Sequence, residues 1–231
     1  MEWRVGGTTL VAIAAAALAC GCILSYQAYA PSRGNIVKHF EWEFRGKSFS
    51  WDLAIPRQLL RHYQVVPRTY DYSRYVTDPK DDEYLDMLSD KLAEADVESD
   101  WSGKIDFVLS FVQSLRYEPD NSTGYDEYPR YPLETLAEGG GDCEDTAILF
   151  AAILRQMGYG AALLRFDTAH HMAAGVSIRR DVVEKWNREY PLTYFEKEGR
   201  LYAYCETTGT GWRIGEEPPW VEGKEAVVIP V

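Results

Sequence analysis

Three residues far apart in the 231-residue chain have the types that could work together: Cys143, His171 and Glu206. A thiol attacks as its thiolate, and a helix N-terminus stabilises that anion. Cys143 stands where Gly139-Gly140-Gly141-Asp142 gives way to an apolar run, Glu144 to Met157, containing Ala147, Ile148, Leu149, Phe150, Ala151, Ile153 and Leu154. A run apolar nearly all round reads as a buried helix with Cys143 at its start and Gly158 as its stop. The glycines let backbone come close to a substrate. The unpaired amides of the first turn point at the sulfur and could form part of an oxyanion hole.

The base must come from another element. His170 and His171 open a strand-like run, Met172-Ala173-Ala174-Gly175-Val176, in which alternate residues face opposite ways. Only one of the two can face the thiol; His171 is taken as the base and His170 is the alternative. Glu206 ends the run Tyr202-Ala203-Tyr204-Cys205-Glu206 and could orient the imidazole. Nucleophile, base and acid on helix, strand and strand make a coherent triad. Cys205, one residue from Glu206, should point to the opposite face and reads as core. Glu144 and Asp145 fit the first helical turn, where they complement the helix dipole. Cys143, His171 and Cys205 lack the close ligand pair of a zinc site, so no metal and no cofactor is assigned. The acid- and Tyr-rich stretch Glu118 to Glu127 offers oxygens of the kind calcium takes, but without an EF-hand pattern it reads as a solvated loop.

These side chains need a scaffold. Phe40–Phe44 and Phe49–Leu53 alternate apolar and polar residues around Arg45-Gly46-Lys47-Ser48, which predicts a β-hairpin. Pro56 to Tyr63 reads as a short helix with proline in its first turn, and residues 66–78 as an ordered loop. A helix follows Asp78-Pro79, with Tyr84, Leu85, Leu88 and Leu92 on one stripe. Ser102 is a plausible N-cap for the next, which carries Ile105, Val108, Leu109 and Val112. Residues 117–132 read as loop and contain the sequon Asn121-Ser122-Thr123. Strands are expected at Ala161–Phe166, Met172–Ile178, Leu201–Cys205 and Ala226–Val231, with 179–199 as an excursion.

The segment Gly141-Asp142-Cys143-Glu144-Asp145-Thr146-Ala147, with its apolar helix ending Met157-Gly158-Tyr159, resembles the nucleophile segment of the transglutaminase-like superfamily. His171-Met172-Ala173-Ala174-Gly175-Val176 is similar to that family's histidine strand. Tyr204-Cys205-Glu206-Thr207-Thr208 and Gly211-Trp212-Arg213-Ile214-Gly215 resemble its acid strand and the turn after it. Phe111–Leu115 and Tyr128–Leu136 look like a branch of archaeal and bacterial membrane-linked proteins. The resemblance spans about residues 105–215. It implies an α+β, papain-like transglutaminase core, with the nucleophile helix packed on an antiparallel sheet that carries histidine and acid. It also implies thiol-dependent acyl transfer on amide bonds. Two departures are visible: the family's usual Asp is here Glu206, and the aromatic that often follows its His is here Met172. By analogy with papain-like folds, Gln113 is the candidate oxyanion donor, and Asp142 is a candidate supporting residue.

Composition narrows the rest. The chain is 46% hydrophobic and 26% charged, ordinary for a globular protein, which argues against disorder. Its net charge is −12 and no stretch supplies a basic face, so nucleic acid is not an expected partner. Residues 1–30 hold only Glu2 and Arg4 as charges, so the acid excess belongs to the remainder. Leu10 to Leu24 is wholly apolar, and with Gly6–Thr9 it reaches the roughly 20 residues that span a bilayer. It reads as an N-terminal transmembrane helix, a signal anchor. Ala28-Tyr29-Ala30 also resembles a cleavage site, and Ala-Leu-Ala-Cys at Cys20 a lipoprotein signal.

The expected organisation is a membrane anchor or signal segment (1–30), a linker (31–39), a hairpin and helices packing on the core (40–100) and a transglutaminase-like domain (101–231). The expected protein is single-pass at the cell membrane with its catalytic domain extracytoplasmic. It would act as a cysteine protease or amidase on protein or peptide substrates, cell-envelope crosslinks among them. A transamidating crosslinker with the same triad, and a non-catalytic extracytoplasmic binding module on the same fold, are the alternatives.

Overall fold

The computed structural model describes residues 34–95, 100–120 and 128–231. The apolar run read as an anchor and the sequon at Asn121 lie outside the described residues. Among the described residues no helix is long and apolar enough to cross a membrane.

The hairpin forms as its alternation predicts. β1 (Asn35–Phe44) pairs antiparallel with β2 (Lys47–Pro56), closing Phe44 on Lys47 across Arg45-Gly46. Both turn residues have positive φ, 49° and 76°, as a two-residue hairpin turn of the right twist requires. The strand begins at Asn35, so residues 35–39 are not the linker expected; the extended pairing takes them in. Phe40, Trp42, Leu53 and Ile55 turn inward.

Four helices follow: α1 (Arg57–Val65), α2 (Ser73–Thr77), α3 (Asp82–Ala93) and α4 (Trp101–Gln113). The one-turn α2 lies within the segment expected as loop. Asp100, not Ser102, caps α4: its carboxylate accepts from the Gly103 amide at 3.3 Å, and Ser102 Oγ donates to it at 2.5 Å. Phe107 and Phe111 of α4 meet the hairpin, with Phe111 5.5 Å from Phe40 and 5.2 Å from Trp42, edge to face.

The chain then builds the nucleophile corner from β3 (Arg116–Tyr117), α5 (Pro132–Glu138), β4 (Gly140–Gly141) and α6 (Cys143–Gln156). Sequence reading missed α5, although Pro132 at its first position, the Glu134 carboxylate accepting from the Tyr131 amide at 3.0 Å and left-handed Gly139 at its end are standard helix boundaries. β3 and β4 run parallel, Arg116 opposite Gly140 and Tyr117 opposite Gly141. A Cβ on Gly140 would sit 2.4 Å from the Arg116 carbonyl oxygen, so only glycine lets the two strands come this close.

The remaining chain gives β5 (Ala161–Phe166), β6 (His171–Ile178), α7 (Arg180–Glu184), β7 (Tyr194–Lys197), β8 (Arg200–Cys205) and β9 (Val227–Pro230). The strands form one antiparallel sheet in the order β7-β8-β6-β5-β9. α6 packs on β5 and β6, and α2 to α5 cover its other sides, which is why it is apolar all round. Leu163, Ala174, Ala203 and Cys205 face this main core. Their alternating neighbours Leu164, Phe166, Ala173 and Tyr204 enclose a smaller core on the sheet's other face.

Asp81 sits just before α3, is 1% exposed and has one carboxylate oxygen, Oδ2, without a hydrogen-bond partner. Burial, and then the charge of Asp78, push its carboxyl up to about 7. The folded protein therefore holds a proton that the unfolded chain gives up near pH 4, and stability falls as pH rises from about 4 to about 7, by a few kcal/mol at most. Calorimetry of Asp81→Asn should show a smaller drop in Tm between pH 5 and pH 8 than the parent shows; an unchanged drop contradicts the assignment.

Candidate active site

The corner that holds Cys143 is fixed by buried charge. Asp145, in the first turn of α6, accepts from the Asp142 amide at 3.3 Å, one arm of a capping box. It also accepts from the Arg130 amide at 2.6 Å and pairs with the Arg130 guanidinium. Arg130 reaches on to Asp120 at 3.2 Å and Glu138 at 3.1 Å. Burial, with the Asp142 charge, pushes Asp145 up to about 7 against the pull of Arg130. A Cβ on Gly141 would lie 2.5 Å from that of Asp145, so the loop can pass over the pair only as glycine.

Cys143 thus starts α6 with its side chain partly open to solvent. Its thiol donates to Glu144 Oε2 at 3.3 Å. Burial, then the Glu144 charge, push the thiol up; the backbone N–H of Met172 acts the other way by hydrogen-bonding the sulfur. The neutral thiol is therefore favoured over the thiolate.

His171 Nε2 lies 3.0 Å from Glu206 Oε2. Glu206 is fully buried and takes three further hydrogen bonds: Tyr204 Oη at 2.6 Å, the Thr208 amide at 2.9 Å and Thr208 Oγ1 at 2.6 Å. Burial alone would raise its carboxyl, but the bonds from His171, Thr208 and Tyr204 outweigh it and hold Glu206 below the usual range. An ionised carboxylate only accepts, so the proton of a neutral imidazole sits on Nε2 and Nδ1 keeps the lone pair. Thr146 Oγ1 and Thr207 Oγ1, 3.0 Å apart, join the first turn of α6 to the segment that carries Glu206.

Cys143 and His171 line one cleft of about 200 Å³, together with Tyr72, Glu144, Phe166 and Met172. His170 borders it too, from a left-handed backbone with φ of 47°. A larger cavity of about 630 Å³ lies under the hairpin turn, walled by Phe44, Arg45, Gln113, Trp212 and Arg213. It contains neither thiol nor imidazole, so the smaller cleft is where this chemistry sits.

Gln113 does not fit the part of oxyanion donor. Its Nε2 donates to the Glu206 carbonyl at 2.8 Å and the Trp212 carbonyl at 3.0 Å, which uses both amide hydrogens. Its Oε1 accepts from the Gly211 amide at 3.1 Å. Gln113 is instead the buried peg that anchors the segment after β8, and so positions Glu206. Cys205 is a free, buried thiol in the main core.

Asp142 lies beside the thiol in a group the sequence reading did not assemble. One ligand oxygen each from Asp120, Asp142 and Glu144 lie within 4.8 Å of one another. Burial, then the Glu144 charge, push Asp142 up to about 8, and Asp142 Oδ1 is buried without a hydrogen-bond partner. Burial also raises Glu144. Three crowded carboxylates with a spare oxygen could hold a hard divalent cation, and an all-oxygen donor set is what calcium takes. The only sequence signal was Asp120 at the edge of the acid-rich stretch; the meeting with Asp142 and Glu144 depends on the β3–β4 pairing.

Tyr117 was also overlooked, in a segment read as loop. It pairs with Gly141, two residues before Cys143. Burial, then the charges of Cys143, Asp142 and Glu144, push its phenol up, so at neutral pH it carries its proton.

The model of the transglutaminase-like superfamily core matches residues 96–190, a stretch that includes Cys143 and His171 and ends before Glu206. Among solved structures, calcium-bound LapG of Legionella pneumophila is similar at 18% identity with a TM-score of 0.38, covering 74% of this chain and 80% of that one. The EGTA-treated form of the same protein matches at 19% identity and a TM-score of 0.39, with the same coverage. A structure described as a protease candidate from Parabacteroides distasonis matches at 17% identity and a TM-score of 0.34, covering 80% of this chain and 41% of that one. No curated protein matches the chain. The resemblance carried by the Cys143 and His171 motifs is borne out by that match, which takes in both.

Proposed function

We propose that the protein is a cysteine hydrolase that cleaves amide bonds of peptides through Cys143, His171 and Glu206. The observation that carries this reading is the His171–Glu206 bond at 3.0 Å, which leaves the Nδ1 lone pair on an imidazole that shares a cleft with the thiol.

The Cys143 proton passes to His171 Nδ1 as the sulfur attacks the amide carbon. Imidazolium forms only during this step, and buried, ionised Glu206 stabilises it. The carbonyl electrons move to oxygen, and the Cys143 backbone N–H, unpaired at the start of α6, donates to that oxyanion. The oxyanion collapses, the C–N bond breaks, and the leaving nitrogen takes the proton from His171 Nδ1. An acyl-thioester on Cys143 remains. Water then gives a proton to His171 and adds to the acyl carbon; the C–S bond breaks, the carboxylic acid leaves, and the sulfur takes the proton back from His171. The added methylene of Glu206, relative to the family's usual Asp, is taken up by the four hydrogen bonds that fix its carboxylate.

The same reading gives Asp120, Asp142 and Glu144 a role. A divalent cation held there would neutralise the carboxylate beside the sulfur and so ease ionisation of the thiol. It also assigns the apolar run Leu10–Leu24 as the tether that keeps the domain at the outer face of a membrane, with peptide as substrate.

Cleavage of a quenched-fluorescent peptide library should fall to background in Cys143→Ala, and by about 10²- to 10⁴-fold in Glu206→Gln, with little change in Tm for the cysteine variant. Full cleavage by Cys143→Ala protein would sink the mechanism. Calcium chloride should raise both Tm and the rate of iodoacetamide labelling of Cys143, and Asp142→Asn should abolish both responses. Parent protein indifferent to calcium in both readouts contradicts the cation role.

A further inference from the structure

We propose that Tyr117 donates the second hydrogen bond to the oxyanion, from β3, completing the pair begun by the backbone amide of Cys143. The inference rests on the acyl-transfer reading above and adds the group that reading lacks, because Gln113 has no amide hydrogen left to give.

Placement comes first from the backbone. In the two-residue parallel ladder, Tyr117 is the direct partner of Gly141. The Arg116 amide donates to the Gly139 carbonyl at 3.2 Å and the Glu118 amide to the Gly141 carbonyl at 2.9 Å, which brackets Tyr117 on both sides. Neighbouring strands lie about 4.8 Å apart. Cys143 follows Gly141 by two residues, so the tyrosine backbone is held one strand-width from the loop that delivers the sulfur. The glycines at 140 and 141 cannot be replaced without driving β3 or Asp145 away, which makes this spacing rigid rather than incidental.

The side chain is placed to be used. Tyr117 is 56% exposed although it sits in a strand, so the ring is not there to fill the core. Its pairing with Gly141 puts it beside the loop that leads into the start of α6. A phenolic O–H is a good donor to a developing alkoxide. A phenol carries its proton at neutral pH, so the donor is available there. His171 stands at the start of β6 and Tyr117 on β3. The base and the oxyanion donor therefore approach from different elements, as an attack on a carbonyl needs.

The test compares two reactions of one thiol. Alkylation by iodoacetamide builds no oxyanion; acylation by p-nitrophenyl acetate does. Tyr117→Phe keeps the ring and removes only the hydroxyl. The variant should alkylate Cys143 at the parent rate, while its p-nitrophenolate burst slows by about 10²-fold, the usual effect of removing one oxyanion donor, with the loss in the acylation rate constant rather than in the apparent Kd for the ester. A variant that acylates as fast as a parent with a clear burst overturns the Tyr117 assignment and leaves the acyl-transfer reading standing. A variant slowed equally in both reactions also overturns it, because the tyrosine would then act on the thiol and not on the oxyanion. A parent that alkylates but never acylates overturns both.

Discussion

The Arg130 guanidinium, 1% exposed, lies against the fully buried carboxylate of Asp145, and where that pair sits decides where α6 begins. Asp145 binds the Arg130 side chain, the Arg130 backbone and the Asp142 backbone, so one carboxylate holds the segment before α5 and the turn before α6 in a single cluster. Arg130 carries the cluster on to Asp120 and Glu138. Removing one partner of such a pair leaves an uncompensated buried charge, at a cost of about 3–5 kcal/mol. The glycine loop, the β3–β4 ladder and the first turn of α6 all close around it. Cys143 is thus held at a fixed helix start, the kind of placement that attack on a carbonyl would need.

A second peg does the same for the acid. Gln113, at the end of α4, bonds the Glu206 and Trp212 carbonyls and the Gly211 amide. The Thr146–Thr207 contact then ties this segment to α6. Thiol and acid come from elements some 60 residues apart in sequence, and they share a frame through these two small contacts. The imidazole is held to Glu206 through its ring and shares a cleft with the sulfur. Burial and the acids of the first turn favour the neutral form of the Cys143 thiol. This arrangement also leaves the thiol less open to oxidation than a resting thiolate would be.

Much of this frame could be read in the sequence, because local pattern dictated it. The period-two alternation of Phe40–Phe44 and Phe49–Leu53 became a hairpin, the all-apolar Ala147–Leu154 became the most enclosed helix, and β5, β6 and β8 fall within a residue of their expected bounds. Cys143 and His171 stood out because a thiol after glycines and a histidine at a strand start are unusual local settings, and the structure brings both to one cleft with Glu206 bonded to the imidazole. What escaped was decided by distant pairing. Gln113 looked like a free donor until its partners, almost a hundred residues on, filled its amide. Asp120 and Tyr117 belong to a stretch with no periodicity, and only the parallel pairing of β3 with β4 brings them to the nucleophile. Asp100 was passed over as a cap for Ser102, although both side chains cooperate at that turn.

The account turns on a covalent bond from the Cys143 sulfur to the acyl group of a cleaved amide. Peptide-mapping mass spectrometry of protein acid-quenched during turnover of a peptide pool tests it most directly. The predicted result is an acyl adduct on the peptide containing Cys143, released by neutral hydroxylamine as a thioester should be. Turnover with Cys143 unmodified throughout, or with the adduct on another residue, would contradict the account.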